Sequence, residues 1–309
     1  MRMTVIFLAL AVSQIVFAQQ KRMCVTVDDL PLVKYGIKTE GHEEAITEGL
    51  LAAFKKHNVP AIGYVNENKV RPNGQPDERR VKLLERWLEE GYELGNHTYS
   101  HKNFNRVPFE EYTTDVIKGE KIIKELALKY KSKVEYFRHP YLRIGERKSQ
   151  ADSLNQFLAD NGYTPAPVTI DNEEYLFAKA YAVAYKNKDI ETMKRVGEAY
   201  LEYMENQLLY FEKASMDLLD RNMDHTLLIH ANYLNSVYLD ALLTIFENHG
   251  YTFISQSEVL EDPAYEREIS KYNDWGISWI QWWGISQGLK GEFFEGEAQT
   301  PEFVKNLSN

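Results

Sequence analysis

Short apolar runs alternate with longer amphipathic stretches from residue 22 to about residue 254, and this alternation constrains the fold more than any other feature of the chain. The amphipathic stretches carry apolar residues at helical spacing, as Val81, Leu84 and Leu88 do. Strands that alternate with helices indicate an α/β fold with a parallel sheet, and a single run of this length suggests a barrel closed or nearly closed on itself. The apolar runs predict seven strands, over residues 22–28, 61–65, 92–96, 134–138, 165–170, 226–230 and 251–254.

One long stretch between two predicted strands, residues 173–222, has helical character throughout. We predict two helices here, separated near residues 186–189, that form an enlarged crossover between neighbouring strands. We expect this insertion to be a structural cover for the sheet. A wall of the substrate cleft and a dimer surface are the alternatives.

The tail that begins at Pro263 holds four of the five tryptophans of the chain. Trp275, Trp279 and Trp282 recur at spacings of four and three residues, which places them on one face of a helix. We predict that this helix packs its aromatic face on the barrel, since aromatic anchors are ordinary core residues. A strip on which sugars stack is the alternative.

The first eighteen residues have the layout of a secretory signal peptide. Arg2 precedes an apolar run, and Val16 and Ala18 supply small residues at the −3 and −1 positions of a cut before Gln19. The run is shorter than the ~20 residues of a membrane-spanning helix; a buried N-terminal helix is the alternative. We expect export to the periplasm or the cell exterior, with no stable membrane anchor after cleavage. The predicted division is a signal peptide over residues 1–18, a barrel with its helical insertion over 19–262, and a C-terminal extension packed on the barrel over 263–309.

Charge and cysteine content exclude several classes of protein. Asp and Glu number 46 against 36 Lys and Arg, which gives a formal net charge of −10. An acidic chain without a basic tract argues against nucleic acid or an anionic membrane surface as the partner. The single cysteine, Cys24, rules out an internal disulfide and a cysteine-based zinc cluster, and we expect it to be a buried residue of the first strand.

Side chains that can bind a metal follow the first and third predicted strands. Asp28 and Asp29 end the first strand, where two adjacent carboxylates are costly to bury without a counter-charge. His97 and His101 follow the third strand, at a spacing that places both on one helix face, where they can bind a single cation. Two histidines and one carboxylate leave coordination positions open for water and substrate, as a metal hydrolase needs. A polar strand end and scattered surface histidines are the alternatives for each motif taken alone.

Two further side chains end strands at the same rim. Arg138, after the fourth strand, can pair with a rim carboxylate, lower its pKa and fix its rotamer. His230 ends the sixth strand, where a lone histidine is more often a satisfied core residue than a catalyst. The carboxyl ends of the strands form the active-site face of a barrel. Four motifs of these types on four strands therefore predict one catalytic site.

These motifs, in this order, resemble those of the polysaccharide deacetylase family, carbohydrate esterase family 4, also called the NodB homology domain. The resemblance runs over about residues 23–262. Residues 26–31, Thr-Val-Asp-Asp-Leu-Pro, correspond to the family's Thr-Phe-Asp-Asp-Gly-Pro. The segments 97–101, 138–141 and 228–230 correspond to its histidine pair, its arginine motif and its late Leu-x-His. The fold that this resemblance implies is a NodB-like, distorted (β/α)7-type barrel.

The resemblance also implies a role for each motif residue. One divalent metal ion would be held by Asp29, His97 and His101; zinc suits these ligands best, and Co²⁺, Ni²⁺ or Mn²⁺ would fit the same set. Asp28 would be the general base and His230 the general acid. The other implied roles are orientation of the base by Arg138, an oxyanion contact from the Tyr141 backbone N–H, orientation of His230 by Glu174, and substrate binding by Leu228, Asp171 and Tyr175.

Several positions depart from the family pattern. Leu30 replaces a glycine after the paired aspartates, and His139 replaces a proline in the arginine motif. In the family's Asp-x-x-Asp-Trp motif, Glu174 stands for the second Asp and Tyr175 for the Trp; Val168 stands for an upstream Trp. No change removes a metal ligand, the base or the acid. We therefore expect the chemistry to be kept and the substrate pocket to be reshaped.

The activity implied by the resemblance is hydrolysis of N-acetyl groups on an acetylated polysaccharide, such as chitin, peptidoglycan or a related glycan, with release of acetate. Two other functions stay open: an amidase or deformylase for a small C–N substrate, and a non-catalytic glycan-binding barrel. The presence of Asp28, Arg138 and His230 argues against the binding protein, which has no use for an acid–base pair. We expect a glycan as the partner, and a homodimer is an alternative to the monomer.

Overall fold

The structure is a computed structural model that describes residues 20–309. The predicted signal peptide, residues 1–18, lies outside these residues. Within residues 20–309, no helix is both long enough and apolar enough to cross a membrane.

Seven parallel strands form one sheet in the described chain, and each overlaps one of the predicted strands. They are β1 Lys21–Val33, β2 Ile62–Val65, β3 Glu93–Asn96, β4 Tyr136–Phe137, β5 Thr164–Pro165, β6 His225–Asn232 and β7 Tyr251–Phe253. Their order is β5-β4-β3-β2-β1-β6, and β7 pairs with the first residues of β1. Residues 23–28 of β1 are buried without interruption, as expected for a strand between two neighbours that is covered on both faces. Cys24 lies in this run, which confirms the prediction for it.

The sheet curls because the chain after β5 reaches back to β6, at the other edge. The predicted fifth strand, residues 165–170, is interrupted: β5 itself has only two residues, and Ile170 forms a separate parallel bridge with Leu227. The backbone N–H groups of Thr169 and Ile170 both donate to the Thr226 carbonyl oxygen at 3.0 Å. This contact links the two edges of the sheet, and the predicted α/β fold is confirmed as a curled, barrel-like sheet.

Eleven α-helices connect and cover the strands of the described chain. Polar side chains fix where several begin: Asp77 accepts from the Arg79 N–H at the second helix, and Asn232 accepts from the Asn235 N–H at the eighth. The helices are α1 His42–Lys56, α2 Glu78–Glu89, α3 Phe109–Lys118, α4 Lys121–Tyr130, α5 Lys148–Asp160, α6 Glu174–Lys186, α7 Ile190–Leu219, α8 Tyr233–Asn248, α9 Gln256–Val259, α10 Trp279–Gln287 and α11 Glu302–Ser308.

The helical insertion consists of α6 and α7, as the periodicity predicts. The break falls at residues 187–189, where the Asp189 side chain accepts from the Thr192 N–H and starts α7. Aromatic side chains pack the two helices together; the ring centroids of Phe177 and Tyr203 lie 4.9 Å apart. The start of α6 adjoins the carboxyl end of the sheet, so the insertion borders the rim on which the predicted site residues lie.

The C-terminal extension packs on the rest of the molecule through α10. Trp279, Trp282 and Trp283 of this helix are buried. The helix begins at Trp279 because the Ser278 side chain caps it, so Trp275 lies outside the helix and is 55% exposed. The predicted aromatic helix face is confirmed for Trp279 and Trp282 and is wrong for Trp275.

We predict that Trp282→Ala lowers the free energy of unfolding by about 3–5 kcal/mol, because Trp282 is fully buried and its loss leaves a cavity. Trp275→Ala, at the exposed position in the same extension, should change it by less than ~0.5 kcal/mol. Denaturant unfolding of both variants measures the difference. Equal, small effects would show that α10 does not contribute to the core.

Candidate active site

Asp28 and Asp29 reach the same cavity because β1 is irregular where they lie. In a regular strand, neighbouring side chains point to opposite faces. The register with β2 shifts between Val27 and Leu30, and Asp29 has a left-handed backbone with a φ of 71°. This bulge brings both carboxylates to one cavity at the carboxyl end of the sheet.

Leu30, which replaces the family's glycine, has a packing role. Its side chain is fully buried, and a Cβ added to Gly63 of β2 would lie 2.0 Å from its Cδ1 atom. Leu30 therefore fills the space that the missing side chain of Gly63 leaves. The left-handed residue is Asp29, one position earlier, so no glycine is required at position 30.

His97 and His101 lie in a loop after β3, so the prediction that they share a helix face is wrong. Local side-chain bonds replace the helical ones: Asn96 Oδ1 accepts from the Thr98 N–H at 2.7 Å, and Thr98 Oγ1 accepts from the His101 N–H at 2.9 Å. Thr98 and His101 have left-handed backbones, with φ of 66° and 57°. The turn nevertheless brings the two imidazole rings together, with centroids 4.8 Å apart.

Asp29, His97 and His101 form a cluster with the donor set of a metal site. One ligand atom from each lies within 4.8 Å of the other two. Asp29 Oδ1 lies 3.9 Å from His97 Nε2 and 3.7 Å from His101 Nε2, and this buried oxygen has no hydrogen-bond partner within residues 20–309. His97 Nδ1 donates to the Arg138 carbonyl oxygen at 2.8 Å, which leaves the Nε2 lone pair free.

The two histidines are also in the charge state that binds a metal ion. Burial lowers the pKa of both His97 and His101, so each ring is neutral at neutral pH. Neutral imidazole is the form that binds metals. An orphaned carboxylate oxygen that faces two free imidazole nitrogens fits a divalent cation, and the three ligands leave positions open for water and substrate.

Lys69 is a neighbour of this cluster that the sequence did not reveal. It follows β2, and its Nζ lies 3.2 Å from Asp29 Oδ2 and 3.1 Å from the Asp29 carbonyl oxygen. Burial by itself would raise the pKa of Asp29, but Lys69 and the surrounding histidines outweigh it and lower the pKa. Lys69 therefore occupies one carboxylate oxygen and leaves Oδ1 for the cluster. Nothing in the sequence distinguishes this lysine from those on the surface.

Arg138 lies behind the cavity and is completely buried. Its Nη2 donates to Thr26 Oγ1 at 2.8 Å, its guanidinium lies 4.7 Å from the ring centroid of Tyr64, and its Nε lies 3.9 Å from Asp28 Oδ1. The expected pairing with Asp28 is present, but the expected fall in its pKa is wrong. Burial raises the pKa of Asp28 to about 6 and outweighs the lowering by Arg138.

His230 and Glu174 form a second charged pair on the other side of Asp28. His230 Nδ1 lies 2.8 Å from Glu174 Oε2, and Glu174 also accepts from the side-chain amides of Asn232 and Asn235. Burial alone would lower the pKa of His230, but the Glu174 hydrogen bond outweighs it and raises the pKa to about 9. The longer side chain of Glu174, at the start of α6, thus reaches the histidine.

The structure brings nine of the eleven predicted site residues onto the wall of one cavity of about 820 Å³. Arg138 and Glu174 do not line it; they lie directly behind Asp28 and His230. The nine lining residues are Asp28, Asp29, His97, His101, Tyr141, Asp171, Tyr175, Leu228 and His230.

The remaining predicted residues differ in depth. Tyr141 has a left-handed backbone with a φ of 57°, and its half-exposed ring stands edge-on to His101 at 4.4 Å. Tyr175 lies at the rim, 45% exposed. Asp171 lies deeper, where burial raises its pKa to about 7. Sequence reasoning missed part of the wall, namely Tyr35, Tyr203, and residues 276–299 of the extension, which supply Gly276, Ile277, Gln281, Glu297, Ala298 and Gln299.

The fold and the cluster define a class of protein, a curled parallel α/β sheet with a carboxylate–histidine site at the carboxyl ends of its strands. Solved structures share the fold. A mutant of a Bacillus anthracis CE4 family pseudoenzyme with restored enzymatic activity matches with a TM-score of 0.50 at 18% identity, over 78% of this chain and 68% of that chain. A peptidoglycan N-acetylglucosamine deacetylase matches with a TM-score of 0.50 at 19% identity, over 78% and 88%.

Sequence comparison links part of the chain to a known family. Residues 17–165, just under half of the chain, match the family model described as polysaccharide deacetylase, which confirms the resemblance to this family over that segment. A peptidoglycan-N-acetylglucosamine deacetylase of Bacillus cereus is 34% identical over 119 residues, which are 38% of this chain and 40% of the relative. The deacetylase PgdA of Listeria monocytogenes is 28% identical over 103 residues, 33% of this chain and 18% of the relative. The matches thus span less than half of each relative's length.

We predict that the protein binds one equivalent of Zn²⁺ and that His97→Ala and His101→Ala each weaken binding at least ~100-fold, because each removes one of three protein ligands. Competition with a chromophoric chelator measures the affinity. His249→Ala, which removes a half-buried histidine outside the cluster, serves as the control and should bind as the wild type does. If all three variants bound Zn²⁺ like the wild type, the cluster would not be the metal site.

Proposed function

We propose that the protein is a metal-dependent hydrolase that removes N-acetyl groups from an acetylated polysaccharide and releases acetate. The observation that carries the proposal is the content of one cavity. It is lined by three residues with the donor set of a metal site and by a buried carboxylate that lies beside an arginine. A histidine paired with a glutamate lines it as well. The names of the relatives support peptidoglycan as the substrate, and chitin or a related glycan would present the same acetamido group.

The donor set of Asp29, His97 and His101 suits Zn²⁺, and Co²⁺, Ni²⁺ or Mn²⁺ would accept the same ligands. When bound, the cation supplies a Lewis acid that polarises the acyl carbonyl and makes a water molecule easier to deprotonate. The protein keeps the two histidines neutral and leaves one Asp29 oxygen without a competing hydrogen bond.

Asp28 is the base in this proposal. Its Oδ2 lies 3.7 Å from His97 Nε2, so its carboxylate borders the position where water would attack. In the ionised form it accepts the proton of that water while the new C–O bond forms. Arg138 faces its other oxygen and holds the side chain in this orientation.

His230 is the acid in this proposal. An amide nitrogen leaves only if it is protonated, and the Glu174 pair keeps His230 charged at neutral pH. As the C–N bond breaks, His230 gives its proton to the departing nitrogen, and the Tyr141 backbone N–H stabilises the negative oxygen of the intermediate. The products are acetate and a free amine, and the proton taken by Asp28 balances the one given by His230.

One observation favours the second candidate, an amidase or deformylase for a small C–N substrate. Residues 276–299 of the C-terminal extension form part of the cavity wall, and a volume of about 820 Å³ lies in the range of small-molecule sites. A substrate panel separates the two functions: acetylated oligosaccharides support the first, and turnover of simple amides or formamides alone supports the second. We further propose export from the cytoplasm, on the basis of the signal-like residues 1–18.

We predict that Asp28→Asn abolishes acetate release from an acetylated oligosaccharide while Zn²⁺ still binds, because the variant keeps all three ligands and loses the base. The exposed Asp240→Asn is the matched control and should retain wild-type activity. Acetate assays and Zn²⁺ titration of both variants give the result. Activity of Asp28→Asn near the wild-type level would contradict the assignment of Asp28 as the base.

We predict that Glu174→Gln shifts the alkaline limb of the kcat/KM profile to lower pH by roughly one unit or more. His230 must be protonated to act, so activity is lost as pH rises through its pKa; without the Glu174 charge, burial lowers that pKa. Glu205→Gln is the control, since Glu205 forms the same kind of bond with His249 on the surface. An unchanged alkaline limb in Glu174→Gln would contradict the role of the pair.

A further inference from the structure

The C-terminal extension, residues 263–309, contacts the cavity at two separate places. The first is the brace, which we define as Asp274 and Gly276. The second is the wall, which we define as Gln281 and Glu297. Both lie outside the segment that matches the family, residues 17–165.

The brace contacts the backbone of Tyr141 directly. A Cβ added to Gly276 would lie 1.8 Å from the Tyr141 carbonyl oxygen and 3.0 Å from its carbonyl carbon, so a side chain at position 276 cannot be accommodated without a shift. Gly276 therefore lies against the peptide that follows Tyr141. The N–H of Tyr141 belongs to the peptide group that precedes this residue, and its carbonyl belongs to the peptide group that follows. Because both groups are attached to the same Cα atom, contact with one affects the orientation of the other.

Tyr141 and Leu142 need such support. Both have left-handed backbones, with φ of 57° and 52°, and neither is a glycine. This conformation costs an L-residue roughly 1–2 kcal/mol and persists only where the surroundings impose it. Asp274 fixes the next residue along: its Oδ1 lies 2.6 Å from Arg143 Nη1. Asp274 is itself held by an ion pair with Arg106.

Two residues that depart from the family pattern contact the start of α10 in the C-terminal extension. The Trp279 backbone N–H donates to the Val168 carbonyl oxygen at 2.8 Å, and the Trp279 ring stacks on His139 with centroids 6.4 Å apart. Val168 and His139 stand where the family has Trp and Pro. These substitutions therefore lie where α10 of the extension packs beside the cavity.

The wall presents hydrogen-bond acceptors to the cavity beside Asp171. Gln281 Nε2 donates to Glu297 Oε2 at 3.1 Å, and the neighbouring Ala298 N–H donates to Gln207 of α7 at 3.3 Å. No lysine or arginine within residues 20–309 forms an ion pair with Glu297. Its carboxylate, held by the side-chain amides of Gln281 and Gln207, lines the cavity and can accept further hydrogen bonds, which the hydroxyl groups of a sugar ring can donate.

We infer that the C-terminal extension is a working part of the active site: the brace positions the Tyr141 N–H, and the wall binds hydroxyl groups of the sugar that carries the acyl group. This inference rests on the proposed function and adds a substrate contact and two positioning residues to it. The two parts act on different steps. The brace affects the charge that develops in the transition state, whereas the wall affects substrate binding.

The brace is tested with Gly276→Ala and Asp274→Asn, by steady-state kinetics of acetate release from an N-acetylglucosamine oligosaccharide. We expect kcat to fall by about 10- to 100-fold, with KM and Zn²⁺ affinity unchanged, because a displaced oxyanion donor weakens only the transition state. Asp274→Asn introduces no clash and guards against misfolding of Gly276→Ala. The control is Glu292→Gln, at an exposed position of the same extension. Folded variants with wild-type kcat would overturn this part.

The wall is tested with Glu297→Ala and Gln281→Ala in the same assay. We expect KM for the oligosaccharide to rise about 3- to 10-fold at constant kcat, the effect of losing one or two hydrogen bonds. Glu292→Ala, an exposed position of the extension, is the control. Unchanged KM in both variants would overturn this part. If the wild type released no acetate from any acetylated glycan, the proposed function itself would fail, so the two failures are distinguishable.

Discussion

The site depends most on the burial of one guanidinium group. Arg138 is fully enclosed where β4 ends, and it contacts a hydroxyl of β1, an aromatic ring of β2 and the carboxylate of Asp28. Its own carbonyl oxygen fixes the tautomer of His97, which follows β3. A buried charge that loses its partner is costly, commonly by about 3–5 kcal/mol. The contacts of Arg138 therefore fix the relative positions of four neighbouring strands at the rim.

Burial and charged neighbours also set the pKa values of the proposed base and acid. Low exposure raises the pKa of Asp28 to about 6, still below neutrality, so this carboxylate is mainly ionised at pH 7. On the opposite side, Glu174 overcomes burial and raises the pKa of His230 to about 9, so this imidazole is mainly protonated. A base and an acid that both have the required charge near pH 7 then face one cavity. At His230 the sign of the pKa shift follows from the anion of Glu174, whereas at Asp28 burial outweighs the opposing effect of the Arg138 cation.

Much of the fold and of the site could be predicted from the sequence, and the reason is geometric. Parallel strands end at one rim, so Asp28, His97, Arg138 and His230 had to converge once the apolar runs were taken as strands. The prediction that failed concerned the local backbone structure after β3. The i, i+4 spacing of the two histidines predicted a helix, but Asn96 and Thr98 supply side-chain bonds that favour a tight loop.

Other features could not be predicted because they depend on tertiary contacts without a local signal. Lys69 pairs with Asp29 only because the short helical turn after β2 adjoins the end of β1. The pKa of Asp28 depends on how completely the cavity excludes water, which strand patterning does not measure. The aromatic spacing in the extension predicted that α10 is buried, but it carried no sign that Gly276 reaches Tyr141 or that Glu297 reaches Asp171, each more than a hundred positions earlier.

The most direct test of the central claim is to quantify acetate and free amine in the same reaction, with an N-acetylglucosamine oligosaccharide and the Zn²⁺-loaded protein. We expect the two products to form in equal amounts, their formation to stop after treatment with EDTA, and Zn²⁺ to restore it. Binding of the oligosaccharide without either product would contradict the account and favour a glycan-binding protein. Equal product formation in the presence of EDTA would contradict the role of the Asp29, His97 and His101 cluster.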